Sequence, residues 1–198
     1  NQEINILEYD KILSNRTFNF HFDYKCFLQC TDFLEKIYSR SIPIGYKKNR
    51  GQFFTPIDIA EFMVNIGLKD NPKKILDPAL GGGIFISTLK NRTTQKQSYT
   101  VVEKDPLCIA MAKINLSKFE NGDIEYKSMD FLDFQNSQYD LIIANPPYVR
   151  FHDIENRDET ISKIESEIDT KLSRLINYYA LFFFKAKNLL REGGKLIF

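Results

Sequence analysis

Lys74-Ile75-Leu76-Asp77-Pro78-Ala79-Leu80-Gly81-Gly82-Gly83 is the stretch that decides the fold. A short apolar run ends at Leu76, passes an acid, a proline and three consecutive glycines, and opens into the helix-forming run Gly83 to Leu89. Glycines let a backbone approach a ligand where any Cβ would collide, and a helix start offers N–H groups without intrahelical partners. Strand, glycine turn and helix in that order predict a binding site at the carboxyl end of a strand. Three glycines alone are equally a plain tight turn.

The rest of the chain repeats the alternation. Thr55-Pro56 carries a capping hydroxyl and a proline for a first turn, which predicts a helix through Ile59, Phe62, Met63 and Ile66. Tyr99 to Val102, Tyr139 to Ala144 and Lys195 to Phe198 read as strands, and Pro106 to Leu116 and Tyr178 to Leu190 as helices. The expected fold class is therefore α/β and Rossmann-like: a mostly parallel sheet with helices on both faces, binding ligands at the carboxyl ends of its strands. Ahead of it, Phe27, Leu28, Phe33, Leu34, Ile37 and Tyr38 recur at helical spacing and end in Ile42-Pro43-Ile44-Gly45. The expected organisation is an N-terminal helical segment over residues 1–50 and a core over residues 51–198.

Composition narrows the function classes. With 198 residues, 43% of them hydrophobic, the chain can bury one substantial core. A net charge of +1 makes no general electrostatic case for nucleic acid. The basic cluster Lys47, Lys48 and Arg50 is as readily a solvated loop as a phosphate contact. No apolar run approaches the roughly 20 residues of a membrane span, and Lys185 and Lys187 interrupt the run from Tyr178. Three cysteines and two histidines suit a reducing interior, so the expected location is cytoplasmic, without a membrane partner. Cys26 and Cys30 are one helical turn apart, but no second pair completes a ligand set, and no metal is expected.

Chemistry enters at the strand ends. Asp77 accepts from an ammonium or hydroxyl group and would repel a pyrophosphate, which turns the glycine site from a dinucleotide toward S-adenosylmethionine. Glu103 closes the next strand, roughly 20 residues past the glycines, where an acid accepts from ribose hydroxyls. Asp130-Phe131 follows the third strand; the acid suits an adenine amino group and the ring suits packing on the base. Asn145-Pro146-Pro147-Tyr148 follows the strand ending at Ala144. Two prolines stop ladder pairing and stiffen the loop, turning the Asn145 amide and the Pro146 carbonyl out of the sheet edge. Two acceptors on the hydrogens of an aromatic amino group favour a pyramidal nitrogen able to attack a sulfonium methyl, by positioning and electrostatics alone. Tyr148 would stack on a base turned out of a duplex.

Gly51-Gln52-Phe53-Phe54-Thr55-Pro56, Asp77 to Gly83, Glu103, Asp130-Phe131 and Asn145 to Tyr148, in that order, resemble the successive motifs of gamma-class N6-adenine DNA methyltransferases of restriction-modification and phage-defence systems. The resemblance covers about Gly51 to Phe198. It implies S-adenosylmethionine as cofactor, held by Phe54, Thr55 and Pro56 at its methionine end and by Asp77, Pro78, Ala79, Gly81, Gly83, Glu103, Asp130, Phe131 and Asn145. It implies catalysis by Asn145, Pro146, Pro147 and Tyr148 on double-stranded DNA with a flipped adenine. Specificity or restriction subunits or domains are implied partners. Leu80 and Gly82 depart from the family's turn, which keeps the backbone role but changes the packing. The chain begins at Asn1 without methionine and ends at Phe198 in an apolar strand, so it is expected to be part of a longer polypeptide, stopping before the last strands and the target recognition domain.

Two other functions stay open at this level. An amino-methyltransferase acting on a protein glutamine or on guanine of ribosomal RNA has a similar catalytic loop, although the Phe-Thr-Pro element weighs against it. A catalytically silent cofactor-binding module of a defence complex is the third. The polar run from Arg150 to Ser173, with His152, Arg157 and Lys163, reads equally as a DNA-phosphate contact and as a solvated loop and surface helix.

Overall fold

The structure is a computed structural model that describes residues 54–119, 123–136, 138–149, 154 and 156–198. The expected N-terminal helical segment, with Cys26, Cys30, Lys47, Lys48 and Arg50, lies outside the described residues, as do Gly51 to Phe53, Arg150 and His152.

In chain order the elements are α1 (Ile57–Gly67), β1 (Lys74–Asp77), α2 (Ile84–Arg92), β2 (Ser98–Glu103), α3 (Pro106–Leu116), β3 (Ile124–Ser128), β4 (Tyr139–Ile143), α4 (Arg157–Ile168), α5 (Tyr178–Leu189) and β5 (Leu190–Ile197). The five strands form one sheet in the order β3-β2-β1-β4-β5, and every neighbouring pair is parallel. Chain direction across the sheet reverses between β1 and β4, where Leu76 lies opposite Ile142. Parallel sheets put their ligand crevice at such a switch point.

Alternate side chains of each strand go to opposite faces, and the two faces are covered by different helices. Ile75, Val101, Leu141 and Ile143 pack with Ala60, Val64, Phe85, Ile86 and Leu116 from α1, α2 and α3. Leu76, Val102 and Ile142 pack with Ile161, Ile164, Leu181 and Phe182 from α4 and α5. Each such aliphatic side chain, fully withdrawn from water, contributes about 1.5–3 kcal/mol. The doubly wound α/β architecture expected from the alternation is thus present. Leu80, one of the two departures in the glycine turn, is buried in the first of these clusters, so its larger side chain is absorbed by the core.

Three local expectations change. The cap of α1 is Pro56 without a side-chain hydrogen bond, so Thr55 is not the capping hydroxyl. The expected helix through Ile59, Phe62, Met63 and Ile66 is present as α1, which leaves Ile59 and Phe62 47% and 64% exposed and buries Ala60, Met63, Val64 and Gly67; a Cβ on Gly67 would lie 2.8 Å from Leu141 Cδ2. Within Arg150 to Ser173, α4 is more than a surface helix, because Ile161 and Ile164 are fully buried. β5 begins at Leu190, directly after α5, and its register slips opposite Tyr139 to Leu141, so that the expected run from Lys195 is the part opposite Leu141 to Ile143. β3 lacks an apolar run because it is the edge strand, half exposed and paired on one side by β2.

Candidate functional site

The carboxyl ends of β1, β2, β3 and β4 lie along one edge of the sheet, and the turns that follow them bring Asp77, Gly81, Glu103, Asp130 and Asn145 to that edge. The geometric condition on which the reading rests, the glycine turn and the Asn145 loop on the same edge, is met because β1 and β4 are parallel neighbours.

Asp77 is fully buried. Its Oδ1 accepts from the Ala79 N–H at 3.1 Å, while Oδ2 is buried without a hydrogen-bond partner. Burial pushes its carboxyl up to about 8; the Ala79 N–H pulls the other way, and the nearby Glu103 charge adds to the rise. A buried polar atom left unsatisfied costs roughly 1–3 kcal/mol, so the arrangement favours a polar partner arriving from outside the chain.

The glycine turn is closed by Gly83 N–H donating to Leu80 O at 2.8 Å, and Leu80 N–H donates to Val102 O. Gly81 and Gly83 take positive φ values of 51° and 85°. A Cβ on Gly83 would press Ala112 and Leu116 at 3.3 Å, so glycine is required there for both conformation and packing. The ring of Phe54 lies over Gly81, 3.9 Å from where a Cβ would be; Phe54 is itself packed against Cys108 and Met111 of α3. From α3, buried Asn115 donates to Gly82 O at 2.9 Å. Asn115 is invisible to motif reading, since a lone polar residue in a helix gives no sign of its partner.

Glu103 accepts from the Gly81 N–H and the Asp105 N–H, both at 2.9 Å, one on each carboxylate oxygen. It therefore braces the glycine turn as well as facing the edge, and burial raises its pKa. Asp130 accepts from the Leu132 N–H at 3.0 Å, from the Tyr178 hydroxyl at 3.1 Å and from Lys104 at 3.2 Å. Burial, and then the Asp130 charge, push the Tyr178 hydroxyl up, so it stays a proton donor. Tyr178 was not legible as a site residue. The ring of Phe131 is only 2% exposed and packs 4.8 Å from that of Phe182, so the expected stacking on a ligand base is corrected. What Phe131 brings to the edge is its main chain at the first position of a 3-10 turn, where an N–H lacks a partner within the turn.

After β4, Asn145 Nδ2 donates to Thr55 Oγ1 at 3.2 Å, joining the loop to the segment ahead of α1 across 90 residues of chain. Pro146 is buried and Pro147 half-buried, whereas Tyr148 is exposed. The Tyr148 ring stacks on Tyr179 at 5.9 Å, and Tyr179 meets Phe198 edge-on. The adjacent tyrosines of α5 thus serve the two halves of the edge, Tyr178 at Asp130 and Tyr179 behind Tyr148. Among the described residues no helix is long and apolar enough to cross a membrane.

The chain is 35% identical over 164 residues to the type II methyltransferase M.AccI of Acinetobacter calcoaceticus, an alignment covering 82% of this chain and 30% of that protein. It is 27% identical over 141 residues to a release factor glutamine methyltransferase of Lactococcus lactis, covering 69% of this chain and 51% of that protein. The type I restriction-modification system methyltransferase subunit from Streptococcus thermophilus shares the fold, with a TM-score of 0.62 at 19% identity over 78% of this chain and 36% of that one. The chain spans less than two thirds of the length of each of these proteins. The sequence profile described as N-6 DNA Methylase matches residues 31–195, a span that takes in the whole edge from Thr55 to Tyr179, and the chain belongs to that family.

Proposed function

We propose that the full-length protein transfers a methyl group from S-adenosylmethionine to the N6 amino group of adenine in DNA, in a restriction-modification or phage-defence system of the cytoplasm. The observation that carries this reading is the adjacency of β1 and β4, which sets the Asn145 loop beside the glycine turn. Specificity or restriction subunits or domains are the proposed partners.

The residues fit the cofactor. The unpartnered Oδ2 of Asp77 suits its ammonium, and the family resemblance assigns Phe54, Thr55 and Pro56 to the same end. Pro78, Ala79, Gly81 and Gly83 supply the close-approaching backbone. Each Glu103 oxygen holds one N–H and keeps capacity for a ribose hydroxyl. Asp130 and the main chain of Phe131 suit the adenine amino and ring nitrogens. When bound, the cofactor would supply an electrophilic methyl carbon on a sulfonium, with the neutral thioether as its leaving group. Asn145 Oδ1 and the Pro146 carbonyl hold the two amino hydrogens and direct the nitrogen lone pair at that carbon; one proton then leaves to water. Tyr148, backed by Tyr179, supports a base flipped out of the duplex, held stiffly by Pro146 and Pro147.

The test is genomic DNA from cells with and without the full-length gene. N6-methyladenine at one sequence context is the expected result. The release factor likeness favours a second reading, an acceptor glutamine, and methylated release factor with unmodified DNA would replace the first by it.

A second measurement concerns Asp77. Its carboxyl is neutral below about pH 8, and an ammonium beside it lowers its pKa, so binding at pH 7 expels a proton. Affinity should therefore rise with pH up to about 8, by at most about tenfold per unit. Calorimetry of S-adenosylhomocysteine in buffers of different ionisation heat should count close to one proton released, and Asp77→Asn should remove it. A heat independent of buffer would separate Asp77 from the ammonium.

A further inference from the structure

We propose that Thr55 is a positioning residue for Asn145: its hydroxyl decides which end of the Asn145 amide is turned to the acceptor amino group. The inference rests on the methyl-transfer reading and adds to it a role for a side chain outside the catalytic loop.

An asparagine amide is nearly symmetric in shape and opposite in function at its two ends, since Oδ1 accepts and Nδ2 donates. Its terminal torsion is broad and roughly two-fold, so nothing within the residue selects one end. With the wrong end forward, two N–H groups would face the amino hydrogens that they are meant to hold. The choice falls to the neighbours. Asn145 Nδ2 donates to Thr55 Oγ1 at 3.2 Å, which turns Oδ1 to the opposite side. Thr55 is buried, and its hydroxyl is not spent on capping α1, whose cap is Pro56. The residue before it, Phe54, lies over Gly81, so Thr55 stands between the glycine turn and the Asn145 loop.

A hydroxyl that gives its own proton to an acceptor on one side becomes a better acceptor on the other. An anionic group at the glycine turn would take that proton, leaving the lone pairs of Oγ1 for Asn145 Nδ2. Occupancy of the cofactor site then reinforces the amide orientation that the reaction needs. Valine keeps the shape of threonine and removes this choice.

The experiment compares Thr55→Val, Thr55→Ser and Asn145→Asp, singly and as Thr55→Val with Asn145→Asp, in the full-length protein. A carboxylate accepts at both ends and has no orientation to lose. At saturating cofactor, Thr55→Val should slow single-turnover transfer by about tenfold, Thr55→Ser should restore it, and in the Asn145→Asp background Thr55→Val should change the rate by less than about twofold. In nitrogen-edited NMR of the cofactor-free protein, the Asn145 side-chain amide pair, assigned by its loss in Asn145→Asp, should move toward the free-amide position in Thr55→Val. The dissociation constant of S-adenosylhomocysteine separates a pure cofactor contact. A weaker constant with an intact saturated rate would overturn the proposal, as would an equal loss in both backgrounds or an unmoved amide pair. Absence of transfer to DNA by the unmutated protein would instead strike the underlying reading, and the amide pair would still report on Thr55.

Discussion

Asn145→Ala in the full-length protein is expected to lower methyl transfer by about 10²–10³-fold, the usual cost of removing one preorganised group from a reacting centre, while binding of S-adenosylhomocysteine changes little. The split follows from where Asn145 stands. It opens the loop after β4 and its amide reaches Thr55, whereas the buried acid, the glycine turn and Glu103 belong to β1 and β2. Alanine keeps the two prolines and the strand end, so the loop should hold its course. Lost are the amide that orients toward the acceptor nitrogen and the tie to the α1 segment. Calorimetry with S-adenosylhomocysteine and single-turnover transfer to DNA read the two effects separately. Unchanged cellular function of the Asn145→Ala protein would favour the silent cofactor-binding module.

Glu167→Ala should destabilise the α4–α5 face by about 3–5 kcal/mol, whereas Lys185→Met should cost little or stabilise. Lys185 is fully buried in α5, and its ammonium donates to Glu167 Oε2 from α4. Glu167 Oε1 accepts in turn from Gln135 at 2.7 Å. Removing the acid leaves a fully buried ammonium with its anionic partner gone. Removing the lysine leaves a partly exposed carboxylate that still holds Gln135, and methionine refills the volume. Hydrogen exchange of the α4 and α5 amides in denaturant measures both. Equal destabilisation by the two variants would mean that packing around the side-chain stem, rather than the charge pair, is what holds the helices. Because α5 begins with Tyr178 and Tyr179, loosening it should also loosen the supports of Asp130 and Tyr148.

The strand ends were legible because their signals are local. An apolar run followed by Asp-Pro and three glycines, or by Asn-Pro-Pro, encodes its own termination: proline cannot continue a ladder, and positive φ at Gly81 and Gly83 suits glycine. Glu103 and Asp130 were legible as acids at strand ends, but not as side chains already holding the N–H groups of Gly81 and Leu132. Phe131 was misread because an aromatic next to a site acid looks the same in sequence whether its ring faces a ligand or the core. The helix α1 was legible but its buried face was not, because it is apolar on more than one side and only its packing against α2 and the sheet selects Ala60, Met63 and Val64 as the buried stripe.

Read without coordinates, the residues establish a doubly wound sheet, the turns that end its strands and the chemistry those turns can hold, since all of these depend on neighbours a few positions apart. Folding alone brought Thr55 to Asn145, Tyr178 to Asp130 and Lys185 to Glu167, pairs separated by 90, 48 and 18 residues. Periodicity reports that a side chain is withdrawn from water; which distant partner it meets is settled by strand order and helix packing, because burial is non-directional while a hydrogen bond needs both atoms in place.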